Sequence, residues 1–219
     1  MTPSQLGAKA DQLYHLKEAR FSVPFFVVVP LDSSSELDIQ EWVHQEFPPE
    51  AYVAVRSSSV TEDTTNQARA GYFYSAIGIP LQHVEKEVTH VQTSIEGQGS
   101  AIIQQFIPSE KAGVLFSNAG QETMVINANW GLCSSVVEGY ACDEYFLQKH
   151  DGTLLDSRIS SQKHARYFHE GTFQTHLTDA QVLSPHERER LVHIAQAVET
   201  LFGTPQDIEW CIYQDHIYL

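Results

Sequence analysis

Three short stretches of this sequence combine residue types suited to holding a polyphosphate. Leu6-Gly7-Ala8-Lys9-Ala10 sets a lysine beside small residues at the expected start of a helix, where orphan N–H groups favour an anion. An ordinary turn glycine and a solvated lysine would read the same way. Arg56-Ser57-Ser58-Ser59 follows the apolar run Tyr52 to Val55, so an arginine fork and several hydroxyls gather at a strand end, with Glu62-Asp63 close behind. That mixture suits a phosphate chain with its metal, because Mg²⁺ prefers carboxylate and phosphate oxygen. The alternative is a polar turn in which Arg56 pairs with Glu62 or Asp63 and the serines cap backbone groups. Asp207-Ile208-Glu209 alternates two carboxylates along an expected strand, so both project from one face. Two such carboxylates can bridge metal ions across phosphates; an exposed acidic edge strand is the competing reading.

The elements that must carry these residues follow from periodicity. Leu6, Ala10, Leu13 and Leu16 have helical spacing, Val23 to Val29 is β-rich, and Ile39 to Phe47 is a short helix stopped by Pro48-Pro49. Tyr72 to Ile79 and Ala101 to Ile107 are strands flanking a helical segment, Val84 to Ile95. Gly113 to Ser117 and Thr123 to Ala128 suggest a hairpin, Leu132 to Val137 a helix, and Tyr145 to Lys149 another strand. Residues 156 to 180 are polar and weakly patterned. Ser184-Pro185 opens the clearest helix, with Leu191, Ile194, Ala195, Val198 and Leu201 in one stripe and Gly203 at its end. Two strands around Tyr213-Gln214-Asp215 finish the sequence. The expected class is α+β, with mixed, largely antiparallel sheets.

The 219 residues are 42% apolar and 19% charged, enough for one large or two small lobes with a proper core. A net charge of −15 argues against nucleic acid or an anionic membrane as partner, and raises the weight of each cation near a phosphate motif. Cys133, Cys142 and Cys211 form no CxxC pair, and the N-terminus lacks an apolar signal core, so a cytoplasmic protein with reduced thiols is expected. The densest apolar run, Phe25 to Pro30, is too short to span a membrane.

Taken in order, GAKADQL, VPFFVVV, VAVRSSSVTED, ARAGYFYS, IIQQFIPSEKAGVLFS, NANWGLCSSVVEGYACDEYF and GTPQDIEW resemble the successive signatures of the PEP/pyruvate-binding, ATP-grasp-like domain. This domain begins phosphoenolpyruvate synthases, pyruvate phosphate dikinases and rifampin phosphotransferases. The resemblance implies a single, abbreviated nucleotide-binding domain over residues 1–219, with lobes of about 1–100 and 101–219. It implies that ATP and Mg²⁺ are the cofactors, and that Lys9 and Arg56, with Ser57 and Ser58, contact the phosphates. Gln104 would lie near adenine, and Glu62 to Gly71 would form a loop in which Ala70-Gly71 permits close backbone approach. Arg56, Asp207 and Glu209 would serve phosphoryl transfer, the last two through Mg²⁺. The implied function is an ATP-dependent phosphotransferase domain, incomplete on its own, that passes a phosphoryl group to a histidine on another domain or chain. Thr175-His176 is only a faint echo of a phosphoacceptor motif. A stand-alone small-molecule kinase and a non-catalytic nucleotide- or partner-binding descendant are the alternatives. The sequence departs from the family pattern at Ala8, where a second glycine is usual, and at Cys133-Ser134, where Gly-Glu is usual. It also ends at Leu219, just before the family's Gln-x-Arg-Pro segment.

Overall fold

In a computed structural model, residues 6–30, 39–59, 74–95 and 99–219 are described. The chain divides into two compact units, residues 1–107 and 108–219.

The first unit contains α1 (Ala8–Glu18), β1 (Phe26–Pro30), α2 (Ile39–Glu46), β2 (Tyr52–Ser59), β3 (Ser75–Pro80), α3 (Val84–Ser94) and β4 (Gly99–Gln105). Among the described residues, four strands form an antiparallel sheet in the order β1-β4-β2-β3. Alternation along the strands sorts side chains onto two faces. Val27, Val29, Val53, Val55, Ala101 and Ile103 join a core with Val43 and Phe47 from the α2 region and Val84, Val88 and Val91 of α3. The α3 valines recur at helical spacing, and each valine-sized side chain so buried contributes about 1.5–3 kcal/mol. On the opposite face, Ala10 of α1 packs with Phe26 and Ile102.

The second unit contains β5 (Lys111–Phe116), β6 (Thr123–Trp130), α4 (Ser134–Val137), β7 (Asp143–Gln148), β8 (Leu154–Arg158), β9 (Lys163–His169), β10 (Thr172–Thr178), α5 (Pro185–Phe202), β11 (Asp207–Tyr213) and β12 (His216–Tyr218). Six strands form one sheet, β12-β11-β5-β6-β7-β8, and β9-β10 is a separate hairpin; every pairing is antiparallel. A capping box starts α5: Ser184 Oγ accepts from Glu187 N–H, and the Glu187 carboxylate accepts from Ser184 N–H. Gly203, at φ 71°, closes the helix in the left-handed region. Lys111 of β5 binds Glu187 at 2.7 Å, Lys149 binds Glu199 at 2.6 Å, and the Arg188 guanidinium lies 5.0 Å from the Tyr145 ring centre. These contacts fasten α5 to the sheet face that carries buried Tyr145.

One ion pair organises the rest of this unit. Asp143 and Lys163 are both fully buried and 2.8 Å apart. Asp143 also accepts from the N–H groups of Ser160 and Val182 and from the Tyr145 hydroxyl, while Lys163 Nζ donates to the Ser160 carbonyl. The pair thus ties the chain on both sides of the β9-β10 hairpin to β7.

Several sequence expectations shift. The first strand starts at Phe26 rather than Val23, and β2 runs through Arg56-Ser57-Ser58-Ser59 instead of stopping before it. The stretch 156–180 contains most of three strands. Those strands carry little apolar alternation, since every residue of β8 and the first six of β10 are exposed. Residues 31–38 and 60–73 lie outside the described residues, and with them the expected positions of Glu62, Asp63, Ala70 and Gly71.

Lys163→Ala leaves the Asp143 charge buried without its counterion, a loss of the kind that typically costs about 3–5 kcal/mol. Urea unfolding followed through buried Trp210 is expected to show a destabilisation of that order; a change below about 1 kcal/mol would contradict the role given to the pair. Acid provides a second check. Burial pulls the Glu187 pKa upward, but hydrogen bonds from Lys111 and Ser184 outweigh it and hold the carboxyl below the usual range. Glu199 is lowered by Lys149 and Ser117. The stabilisation from both is therefore present above the ordinary glutamate range and is lost as the pH falls from that range through the lowered folded-state values. Glu187→Gln is expected to be less stable than the parent near neutrality, with the gap closing in acid. A gap independent of pH would show that the charge is not responsible.

Candidate functional site

In the first unit the candidate residues are arranged by one close approach. Gly7 precedes α1 with φ 84° and ψ 160°, a conformation glycine tolerates and other residues rarely do. A Cβ on Gly7 would stand 2.3 Å from the Ser58 carbonyl oxygen, and one on Gly99 would stand 2.2 Å from the same atom. Two glycines therefore let the start of α1 and the start of β4 close on β2. Across this contact Ser58 Oγ accepts from the Ala10 N–H at 3.0 Å, and Ser100 Oγ donates to the Leu6 carbonyl at 2.5 Å.

Strand parity then decides which candidates meet. Arg56 is paired with Ile102, and Ala54 with Gln104. Ile102 packs against Ala10 of α1, so Arg56, Ser58 and Gln104 share the face that carries α1 and Lys9. Arg56 and Lys9 are half-buried, whereas Gln104 and Ser58 are buried. Ser57 has the other parity and projects with Val53 and Val55 towards α2 and α3. Its buried hydroxyl has no hydrogen-bond partner among the described residues. Gly71 lies outside the described residues.

In the second unit Asp207 and Glu209 are exposed while Ile208 and Trp210 are buried, so the two carboxylates share a face. β11 pairs with β5 along Asp207–Ile212, whereas β12 faces only Cys211–Tyr213, so the acidic pair sits on a stretch with β5 on one side and no named strand on the other among the described residues. Following the register from Glu209 through Val114 leads to Asn127 and then Glu144 on the same face. Asn127 Oδ1 is buried without a partner among the described residues, and Glu144 is held by Arg158 at 3.3 Å. Sequence reasoning passed over Asn127. Its signal was an amide within the otherwise apolar stretch Met124–Ala128.

No group of three or more His, Cys, Asp or Glu side chains among the described residues could hold a metal by itself. Two carboxylates and an orphaned amide oxygen nevertheless fit Mg²⁺, which commonly takes one or two protein carboxylates and completes its shell with phosphate and water. The Trp130-Gly131-Leu132-Cys133-Ser134 stretch is built into the unit. Gly131, at φ 80°, abuts the Arg166 carbonyl, where a Cβ would come to 1.9 Å, and Ser134 Oγ accepts from Arg166 Nη1 at 3.2 Å. None of the three cysteines forms a disulfide, and burial pushes the Cys211 thiol up to about 12. Among the described residues no helix is long and apolar enough to cross a membrane.

The fold is that of ATP-grasp proteins. D-alanine–D-alanine ligase from Bacillus anthracis superimposes with a TM-score of 0.51 at 11% identity, covering 96% of this chain and 53% of the ligase. Sequence likeness lies with other proteins. Rifampicin phosphotransferase from Bacillus subtilis is 29% identical over 88% of this chain and 26% of its own length. A probable phosphoenolpyruvate synthase from Archaeoglobus fulgidus is 27% identical over 80% of this chain and 27% of its own. The chain therefore spans about a quarter of the length of these relatives. Residues 86–219 match the family described as pyruvate phosphate dikinase, AMP/ATP-binding domain. That match takes in β4, with Gln104, and the whole second unit, with Asp207 and Glu209. With more than half of its length so matched, the chain belongs to the pyruvate phosphate dikinase AMP/ATP-binding domain family.

Proposed function

We propose that this ATP-binding domain works with Mg²⁺ and passes a phosphoryl group to a histidine on another domain or chain. Both units would belong to one nucleotide-binding domain. The observation that carries the reading is the convergence of Arg56, Ser58, Gln104 and the Lys9-bearing start of α1 on one sheet face, together with two carboxylates on one face of β11.

Phosphoryl transfer needs positioning and charge neutralisation more than covalent help from the protein. Arg56 offers a planar fork suited to phosphate oxygens, and Lys9 adds a point charge. Asp207 and Glu209, with Asn127, would hold Mg²⁺, which supplies neutralisation of charge developing on the phosphates. The acceptor imidazole nitrogen forms a bond to phosphorus as the P–O bond to the departing nucleotide breaks. A cytoplasmic setting is part of this reading, argued from three cysteines that form no CxxC pair in the sequence. The tie between Ser134 and Arg166, at a position where the family pattern that the sequence resembles usually has a glutamate, favours a second reading in which the domain binds nucleotide without transferring from it.

The two readings separate in a transfer assay that mixes the purified chain with labelled ATP, Mg²⁺ and a histidine-bearing partner domain. Label is expected on the partner's histidine. Arg56→Ala is expected to lower its rate by about 10²–10³, the usual effect of removing one charge-assisted contact to a transition state. Transfer unaffected by Arg56→Ala would contradict the assignment of that residue, and saturable ATP binding with no labelled partner would favour the binding-only reading.

A further inference from the structure

Helix α1 lacks a cap of its own. Its N-cap residue, Gly7, has no side chain, and no cap bond is made from within the helix. An N-cap side chain normally satisfies the N–H of the second or third helical residue. Here the third residue, Ala10, donates instead to Ser58 Oγ, 48 positions later in the sequence. The next strand supplies the counterpart: Ser100, paired directly with Ser58, donates to the Leu6 carbonyl just before the helix. Both serines are fully buried. Two adjacent hydroxyls thus grip the Leu6–Ala10 segment on either side of Lys9, while the Ser58 carbonyl is packed against Gly7 and Gly99.

We propose that Ser58 and Ser100 are positioning residues, a cap supplied in trans that sets Lys9 at a fixed place relative to Arg56, two residues before Ser58 on the same face. This rests on the reading in which Lys9 and Arg56 serve the phosphates of ATP, and it changes the part played by Ser58. Its hydroxyl acts on ATP through α1 and makes no contact of its own. The arrangement also accounts for a serine, rather than an apolar residue, at a position with no exposure: an apolar side chain would leave the Ala10 N–H buried and unsatisfied.

Two measurements on the full chain test this. The first is hydrogen exchange without nucleotide: in Ser58→Ala the amides of the first turn of α1 are expected to exchange faster, while those of α3 are unchanged. The second is ATP affinity in Ser58→Ala, Lys9→Ala and the double variant. Ser58→Ala is expected to weaken binding roughly fivefold, the scale of a lost N-cap, and the double variant is expected to bind no more weakly than Lys9→Ala. Unchanged exchange, unchanged affinity, or losses that multiply in the double variant would each overturn the proposal, the last by showing that Ser58 acts on ATP independently of Lys9. If Lys9→Ala leaves ATP affinity intact although exchange rises in Ser58→Ala, the underlying assignment of Lys9 fails and the positioning claim falls with it, leaving only a helix cap. Should Ser58→Ala not fold, Ser100→Ala, which releases Leu6 alone, is measured in the same two ways, with the same results expected and the same results overturning the proposal.

Discussion

The first unit depends on the absence of two Cβ atoms. Gly7 and Gly99 reach the Ser58 carbonyl from two directions at distances that no side chain would allow, and only because they do can a helix and two strands meet within hydrogen-bonding range. Lys9, Arg56 and Ser58 are brought to one face by this contact. A glycine here is required by a close approach as well as by a positive φ, so the first glycine of Gly7-Ala8-Lys9 is a packing element as much as a ligand-facing one. The departure at Ala8 is mild for the complementary reason. Ala8 lies inside α1, in a conformation open to any residue.

The second unit relies on the two-residue period of strands. One face of its sheet is tied to α5 and buries Ile208, Trp210 and Tyr145, so residues of the other parity are excluded from that core. Asp207, Glu209, Asn127 and Glu144 have that other parity. Carboxylates gathered on one face repel one another, and the Glu144–Arg158 pair relieves only part of that charge. A bound divalent cation would relieve more, which gives the acidic face a physical reason to recruit metal in a chain whose net charge is already −15.

The legible parts of this fold were those governed by local rules. The Asp207-Ile208-Glu209 alternation, the Ser184-Pro185 helix start and the stop before Pro48-Pro49 all stand in the structure because each follows from periodicity or from the chemistry of a single residue. Arg56-Ser57-Ser58-Ser59 was harder, since serines near a strand end resemble a turn. Their burial within β2 makes sense only once Ala10, 48 residues away, is seen to bind Ser58. The same strand separates Ser57 from Ser58 by parity, a distinction that needs the sheet's two faces to be known. β8 and β10 carry too little apolar alternation to read, and the buried Lys163 has no signature in a polar stretch until its partner Asp143 is found 20 residues earlier. Asn127 became a candidate only through register.

The central claim, that Mg-ATP engages this chain through the carboxylates of β11, is most directly tested by calorimetric titration of ATP into the full chain with and without Mg²⁺, repeated for Glu209→Gln. The account requires one saturable site whose affinity rises when Mg²⁺ is present, with most of that rise lost in the variant and the metal-free affinity little changed. A chain that binds no ATP, or a variant that keeps the full magnesium enhancement, would contradict it.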